Sequence, residues 1–323
     1  MKAKKISRLI VLILVCSLIF GGCGKHSPLY LEDSYQDYYK KNKTEVSSDV
    51  EGMAEDLAVI SPENESDPDY HSNDYANLLV NDTRAEVVES YRCFEKIYPA
   101  STTKIMTALL TLEHADFDDK ITLDHNIVLT EDGAVISTLS RGDTVTVDEV
   151  FHTMLIKSAN DCAVILAEYL AGSVEAFADM MNEKARELGA THTHFVNPNG
   201  LHDDDHYSTA YDLYLIFRAA VQYDKFVNTV SMKDYQMTYI NSAGQSVGEY
   251  MTSTNHYLVN EYPVPEGVIM YGGKTGTTTA ARSCLILMTE NENGERFFSL
   301  VLGAKTKGDL YESMTNLLEK TVN

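Results

Sequence analysis

Basic residues are scarce in this chain. Its 323 residues hold 26 lysines and arginines against 48 aspartates and glutamates, for a formal net charge of -22. Such an imbalance argues against nucleic acids and other polyanions as partners, though not against a small anion held by local lysines. Cysteine is also sparse, with five in all. Cys16 and Cys23 fall in the N-terminal leader. Cys93, Cys162 and Cys284 are odd in number and widely spaced, which argues against a disulfide framework or a zinc site. They are expected to be buried small apolar thiols. No H-E-x-x-H is present. His192, His194, His202 and His206 surround Asp203–Asp205, but Pro198 and Gly200 interrupt any helix there, so these histidines are expected to hydrogen-bond within a loop. No metal and no cofactor is expected, and no internal repeat is evident.

A long apolar span is missing as well. Leu9–Phe20 is a run of twelve mostly apolar residues, short of the roughly 20 needed to cross a bilayer as a helix. Lys2, Lys4, Lys5 and Arg8 precede it, which makes residues 1–22 a secretory signal. Phe20-Gly-Gly-Cys23 resembles a lipoprotein signal, although leucine is commoner where Phe20 stands. Cys23 is therefore the expected lipidated first residue of the mature chain, and removal of residues 1–22 leaves the remainder four charges more negative. Residues 23–71 follow as an acidic tether. From 24 to 70 there are twelve acids and four lysines. Apolar residues come singly or in short groups such as Leu57 to Ile60, and no helical or strand period is sustained.

The globular part is expected over residues 72–323. Ala76 to Val80 and Glu86 to Ser90 read as strands around an Asn-Asp-Thr-Arg turn that lacks the expected glycine, which leaves the strand register open. Ile105, Ala108, Leu109 and Leu112 share one face of a helix that residue 101 would open. Further helices are expected over Val147 to Lys157, over Ala163 to Leu170, and from an N-cap at Ser173 to a stop at Gly189. Thr209-Ala-Tyr-Asp212 reads as a capping box. Ser283 to Thr289 and Arg296 to Leu302 form a strand hairpin, and Asp309 to Lys320 a closing helix. Strands at both ends with helices between them imply an α+β fold, with an antiparallel sheet built from both termini.

Three short segments carry chemistry. Ser101-Thr-Thr-Lys104 sets a hydroxyl and an amine three apart at a helix start, on one face, where the helix terminus favours a developing anion. A serine hydroxyl needs a base to become a nucleophile. Lys104 serves only when neutral, which from an unperturbed pKa of about 10.4 costs roughly 4.6 kcal/mol at pH 7. Burial and a second cation lower that cost, and Lys274 is the candidate cation. Ser158-Ala-Asn160 places a hydroxyl and a carboxamide at a helix-to-helix junction. They either face a cleft, relaying a proton and holding a carbonyl or Lys104, or cap the next helix. Lys274-Thr-Gly276 follows Gly272-Gly273 and precedes Thr277. Glycines allow a close backbone approach to a ligand. Lys274 and Thr275 suit a carboxylate, and the Thr277 and Ser101 N–H groups suit an oxyanion. Each motif alone is common. All three, in this order and each in a fitting local structure, are not.

The chain resembles the serine-type D-alanyl-D-alanine carboxypeptidases, which are low-molecular-mass penicillin-binding proteins. The resemblance runs from about Tyr75 onward. It includes Pro99-Ala-Ser-Thr-Thr-Lys-Ile-Met-Thr-Ala108, Ser158-Ala-Asn-Asp161, Asn197-Pro-Asn-Gly-Leu201 and Gly273-Lys-Thr-Gly-Thr-Thr278. It implies a β-lactamase/transpeptidase-like fold: an antiparallel sheet flanked by helices, plus a helical subdomain. It also implies roles. Ser101 is acylated by the penultimate D-alanine of a peptidoglycan stem peptide, Lys104 is the base, Ser158 relays the proton and Asn160 orients. Lys274 and Thr275, with Gly276 and Thr277 beside them, hold the substrate, and β-lactams act as covalent inhibitors. The implied location is the outer face of a bacterial cell membrane. Many relatives add a C-terminal β-rich domain and an amphipathic membrane helix. The 49 residues after Lys274 leave room for neither, so an N-terminal lipid would replace that anchor. A serine β-lactamase on the same fold is the alternative, but the Glu-x-x-Leu-Asn of one major class is missing after Ser158. A non-catalytic lipoprotein that senses β-lactams or wall peptides is a third reading, against which the complete set of reactive side chains counts.

Overall fold

The structure is a computed structural model that describes residues 57–60, 75–129, 131 and 133–322. The signal segment, Cys23 and most of the acidic tether lie outside the described residues. The main sheet has five antiparallel strands, β1 (Ala76–Asn81), β2 (Glu86–Tyr91), β7 (Val268–Thr278), β8 (Arg282–Asn291) and β9 (Arg296–Ala304), in the order β2-β1-β9-β8-β7. The strands from both ends of the domain therefore share one sheet, as expected from the sequence. The β1–β2 register shifts at Leu79/Val80, and Ala85 in the glycine-free turn takes a left-handed φ of 51°. β8 and β9 are apolar almost without alternation because both sheet faces are covered.

On one face Leu79, Leu285, Leu287, Phe297 and Val301 meet Leu310, Tyr311, Met314, Leu317 and Leu318 of α7 (Lys307–Glu319). On the other, Leu78, Val80, Ile286, Phe298 and Leu300 pack in the larger core with α1 (Lys104–His114) and α5 (Ala210–Ala220). Each such fully buried side chain contributes about 1.5–3 kcal/mol through burial. α1 is surrounded: Ile105, Met106, Ala108, Leu109 and Leu110 are all buried. It packs on α2 (Val147–Ile156), α3 (Asn160–Ala171), α4 (Val174–Glu187) and α5. Ser173 caps α4 by accepting from the Ala176 N–H, as expected. Thr209 accepts from the Asp212 N–H, but the box is not reciprocal. The Asp212 carboxylate turns away and accepts from His192 N and the Thr193 hydroxyl.

Two features depart from the sequence reading. A second, four-stranded sheet of order β3-β4-β5-β6 joins β3 (Lys120–Thr122), β4 (Thr144–Thr146), β5 (Asp234–Ile240) and β6 (Ser246–Thr252). Its β5–β6 hairpin turns at Asn241–Gln245 and has the alternating burial of a half-covered sheet. A short α6 (Asp224–Val230) precedes it. In addition, Leu57–Ile60, assigned above to the tether, lie on the domain. Ala58 is fully buried, Leu57 and Ile60 pack against the core, and the Tyr211 hydroxyl donates to the Ala58 carbonyl at 3.1 Å.

Candidate active site

Ser101 lies on a 3-10 turn, Ala100–Thr103, immediately ahead of α1 rather than in its first α-helical turn. Ala100 has a left-handed φ of 48°, so the chain arrives at Ser101 through a sharp bend. Lys104 opens α1, and the spacing of three still puts both side chains together: Lys104 Nζ is 2.9 Å from Ser101 Oγ. The ammonium end is wholly buried and has two further partners. It donates to Asn160 Oδ1 at 2.8 Å and to the Asn199 carbonyl at 2.6 Å. Those two oxygens can only accept. A neutral amine fills this niche completely, with two N–H groups spent on the two acceptors and a lone pair left for the Ser101 hydroxyl proton. Burial lowers the Lys104 pKa well below that of a free lysine, and the charge of Lys274 lowers it further.

Ser158 is positioned by an unusual backbone. α2 ends at Ile156 and α3 begins at Asn160, and Ser158 between them has a left-handed φ of 64°. Such a conformation costs a non-glycine residue on the order of 1–3 kcal/mol and persists only when its surroundings impose it. Here Lys274 Nζ donates to Ser158 Oγ at 2.9 Å. On the preceding residue, Lys157 pairs with Glu249, whose carboxylate also accepts from the Thr138 N–H and hydroxyl. Asn160 does not cap α3 with its side chain. Its amide N–H and Nδ2 both donate to the Val135 carbonyl, which aims Oδ1 at Lys104.

Lys274, Thr275 and Gly276 occupy β7, at the open edge of the main sheet. Lys274 is almost entirely buried, and burial lowers its pKa to about 7. The Thr275 hydroxyl is 2.6 Å from that of Thr254. Gly276 lies against the Ser101 turn, where an added Cβ would stand 2.9 Å from the Ser101 nitrogen. Thr277 follows and is exposed. The glycines before the motif serve a different end from the ligand approach expected above. A Cβ on Gly272 would meet the Val230 carbonyl at 2.1 Å, and one on Gly273 the Ile286 carbonyl at 1.9 Å, so both accommodate the protein's own backbone.

The structure thus gathers Ser101, Lys104 and Asn160 into one hydrogen-bonded group and joins Ser158 to Lys274 in a second, with Thr275, Gly276 and Thr277 on the strand that carries Lys274. The histidines hydrogen-bond within their own loop, except that His206 also reaches the Ser101 turn. His194 Nδ1 contacts the Asp205 carbonyl at 2.6 Å, and buried His206 bridges Val196 N and Thr103 Oγ1. Cys93, Cys162 and Cys284 are buried, as expected. The backbone carbonyls of Val135 and Asn199, and the hydroxyl of Thr254, were not anticipated. The Asn-Pro-Asn-Gly run announces a turn, but nothing in it says that the Asn199 carbonyl faces a lysine.

Gly200 holds that carbonyl in place. Its φ is +84°, and a Cβ there would lie 1.9 Å from the Ala100 carbonyl oxygen. Gly200→Ala should therefore destabilise the fold by at least about 1–3 kcal/mol, read as a lower urea midpoint. An unchanged midpoint would mean that the Ala100–Gly200 approach is not required.

The sequence profile described as D-alanyl-D-alanine carboxypeptidase matches residues 62–306. The chain belongs to this carboxypeptidase family. Among its relatives, the D-alanyl-D-alanine carboxypeptidase DacF of Bacillus subtilis is 33% identical over 77% of this chain and 62% of its own length. DacC of Escherichia coli is 30% identical over 75% of this chain and 59% of its own. The chain thus spans about three fifths of the length of these curated carboxypeptidases. Solved structures agree with the fold. A Streptomyces DD-transpeptidase superposes with a TM-score of 0.69 at 26% identity, covering 77% of this chain and 96% of the other. A Listeria monocytogenes penicillin-binding protein in its cefotaxime-bound form gives 0.62 at 29% identity, covering 76% of this chain and 96% of the other.

Proposed function

We propose that this chain is a serine D-alanyl-D-alanine carboxypeptidase that trims the terminal D-alanine from peptidoglycan stem peptides through an acyl-enzyme on Ser101. The observation that carries the reading is the contact between buried Lys104 Nζ and Ser101 Oγ. Neutral Lys104 takes the hydroxyl proton as Oγ attacks the carbonyl carbon of the penultimate D-alanine. The N–H groups of Ser101 and Thr277 receive the oxyanion. Ser158, held by Lys274, passes the proton to the departing D-alanine amine, with Asn160 fixing Lys104. Lys274 and Thr275 hold the free carboxylate, and water then releases the shortened peptide. β-Lactams enter as analogues of the dipeptide and acylate Ser101. In the cell the domain works outside the cytoplasm, with residues 1–22 removed, a lipid on Cys23 holding it to the membrane, and the acidic stretch between Cys23 and Leu57 separating lipid from domain.

The intact mass after exposure to benzylpenicillin tests this reading. The wild type should gain one penicilloyl group and Ser101→Ala none, and the purified enzyme should release D-alanine from diacyl-Lys-D-Ala-D-Ala. The membrane-derived chain should begin at Cys23 and carry lipid mass. Rapid β-lactam hydrolysis would point instead to a β-lactamase, transfer to an added amine to a transpeptidase, and acylation without peptide turnover to a sensor.

A further inference from the structure

The loop that supplies the Asn199 carbonyl to Lys104 is fastened to α1 and to the Ser101 turn ahead of it by several bonds, one of which runs through a histidine. His206 is 2% exposed. Its Nδ1 accepts from the Val196 N–H at 3.1 Å, which forces the ring proton onto Nε2. Nε2 in turn donates to Thr103 Oγ1 at 2.8 Å. The ring is thus a fixed-tautomer strut between the segment entering the Asn197–Leu201 loop and the residue immediately before Lys104. Around it, Thr107 Oγ1 donates to the Pro198 carbonyl at 2.6 Å, and Asn197 Oδ1 accepts from Gly200 N at 2.7 Å. We infer that His206 is a positioning residue for acylation, setting the distance between the Asn199 carbonyl and Lys104 Nζ so that the amine lone pair faces Ser101. The inference rests on the reading of Lys104 as the base.

The electrostatic surroundings fit a strut that stays uncharged. Burial lowers the His206 pKa to about 3, with Asp203 opposing and His194, Lys104 and His202 reinforcing the shift. The imidazole is therefore neutral at every pH at which the enzyme would work, and adds no cation near Lys104. The charged and titratable groups that act on Lys104 itself are Lys274, Cys162 and Asp161. No part of the proposed role requires His206 to titrate.

The test compares His206→Leu, which deletes both bonds, with His206→Gln, which keeps a donor for Thr103, and with Thr103→Val, which deletes only the acceptor. The second-order rate of penicillin acylation is followed by intact mass from pH 5 to 9, beside the melting temperature. His206→Leu should acylate about tenfold to a hundredfold more slowly, the scale of a misplacement of about 1 Å. Its acid limb should move to higher pH, because a loosened niche admits water around Lys104 and restores part of its ordinary pKa. His206→Gln should recover much of the rate. A lowered melting temperature with rate and limb unchanged would reduce His206 to a stabilising residue and overturn the inference. If His206→Leu does not fold, Thr103→Val carries the same comparison, and a wild-type rate and limb in that variant overturn it equally. A wild type that is not acylated at all would instead remove the proposed function.

Discussion

Lys104→Arg should slow acylation of Ser101 by about 10²–10⁴-fold, the usual contribution of a positioned general base. Arginine keeps the positive charge but does not lose its proton in a protein, so a niche that offers two acceptors and a hydroxyl would be filled by a group with no lone pair to give. The guanidinium is also larger than the wholly buried amine it replaces. Near-UV circular dichroism and the melting temperature are therefore needed beside the mass-spectrometric rate, and Lys104→Met serves as a neutral control that should be equally slow. Normal labelling of a folded Lys104→Arg enzyme would force another base into the mechanism. The pH dependence has a definite sign. Acylation rises with pH as Lys104 loses its proton. Burial and Lys274 depress that pKa, so the rise is complete well below the pH at which a free lysine would deprotonate. Lys274, lowered to about 7 by burial, loses charge as pH climbs past neutrality in the empty enzyme, so recognition of a carboxylate weakens on the alkaline side.

The second large effect concerns that carboxylate. A diacyl-Lys-D-Ala-D-Ala peptide should be cut, and the same peptide with a C-terminal amide should be slower by about tenfold to more than a hundredfold. This corresponds to the roughly 1.5–3 kcal/mol carried by a hydrogen bond to a charged group. Lys274→Ala should reduce the acid-to-amide ratio. It should also slow both substrates, since it removes the partner of Ser158 Oγ as well as the cation. The ratio, rather than either rate, is therefore diagnostic of carboxylate binding. Thr275→Val, which leaves Lys274 and Ser158 joined, should lower the ratio with less loss on the amide. Equal cleavage of acid and amide by the wild type would sink the carboxypeptidase reading in favour of an endopeptidase.

The parts of the site carried by side-chain chemistry were legible in the sequence. Ser101, Lys104, Ser158, Asn160 and Lys274 announce themselves as residue types at set spacings, and the apolar stripe of α1 and the turn-flanked strands β8 and β9 announce the elements that hold them. What escaped is carried by backbone. The Val135 and Asn199 carbonyls orient Asn160 and Lys104, and any residue type supplies a carbonyl. The left-handed φ of Ser158 could not be foreseen either, because no glycine or asparagine marks it. The second sheet is half legible. Asp234–Ile240 and Ser246–Thr252 alternate as strands should, with Gly244 in the turn between, but β3 and β4 are three residues each, too short to show a period. His206 reads in the sequence as one of several histidines bonding within a loop. Its reach to Thr103, 103 positions away, is a tertiary fact.

The position of β9 in the sheet bears on how the chain comes to be folded. β9 follows every other strand of its sheet in the sequence, yet it lies at the centre, between β1 near the start of the domain and β8. Ala76 pairs with Leu302, so β1 has no partner on that side until the chain has been made through β9. Contacts of such sequence separation are paid for in loop entropy before they return anything, which slows folding and leaves apolar edges open meanwhile. A ribosome or translocation channel that still holds β9 leaves β1 unpaired on that side, so the sheet whose edge carries Lys274 and Thr275 closes only once β9 has emerged.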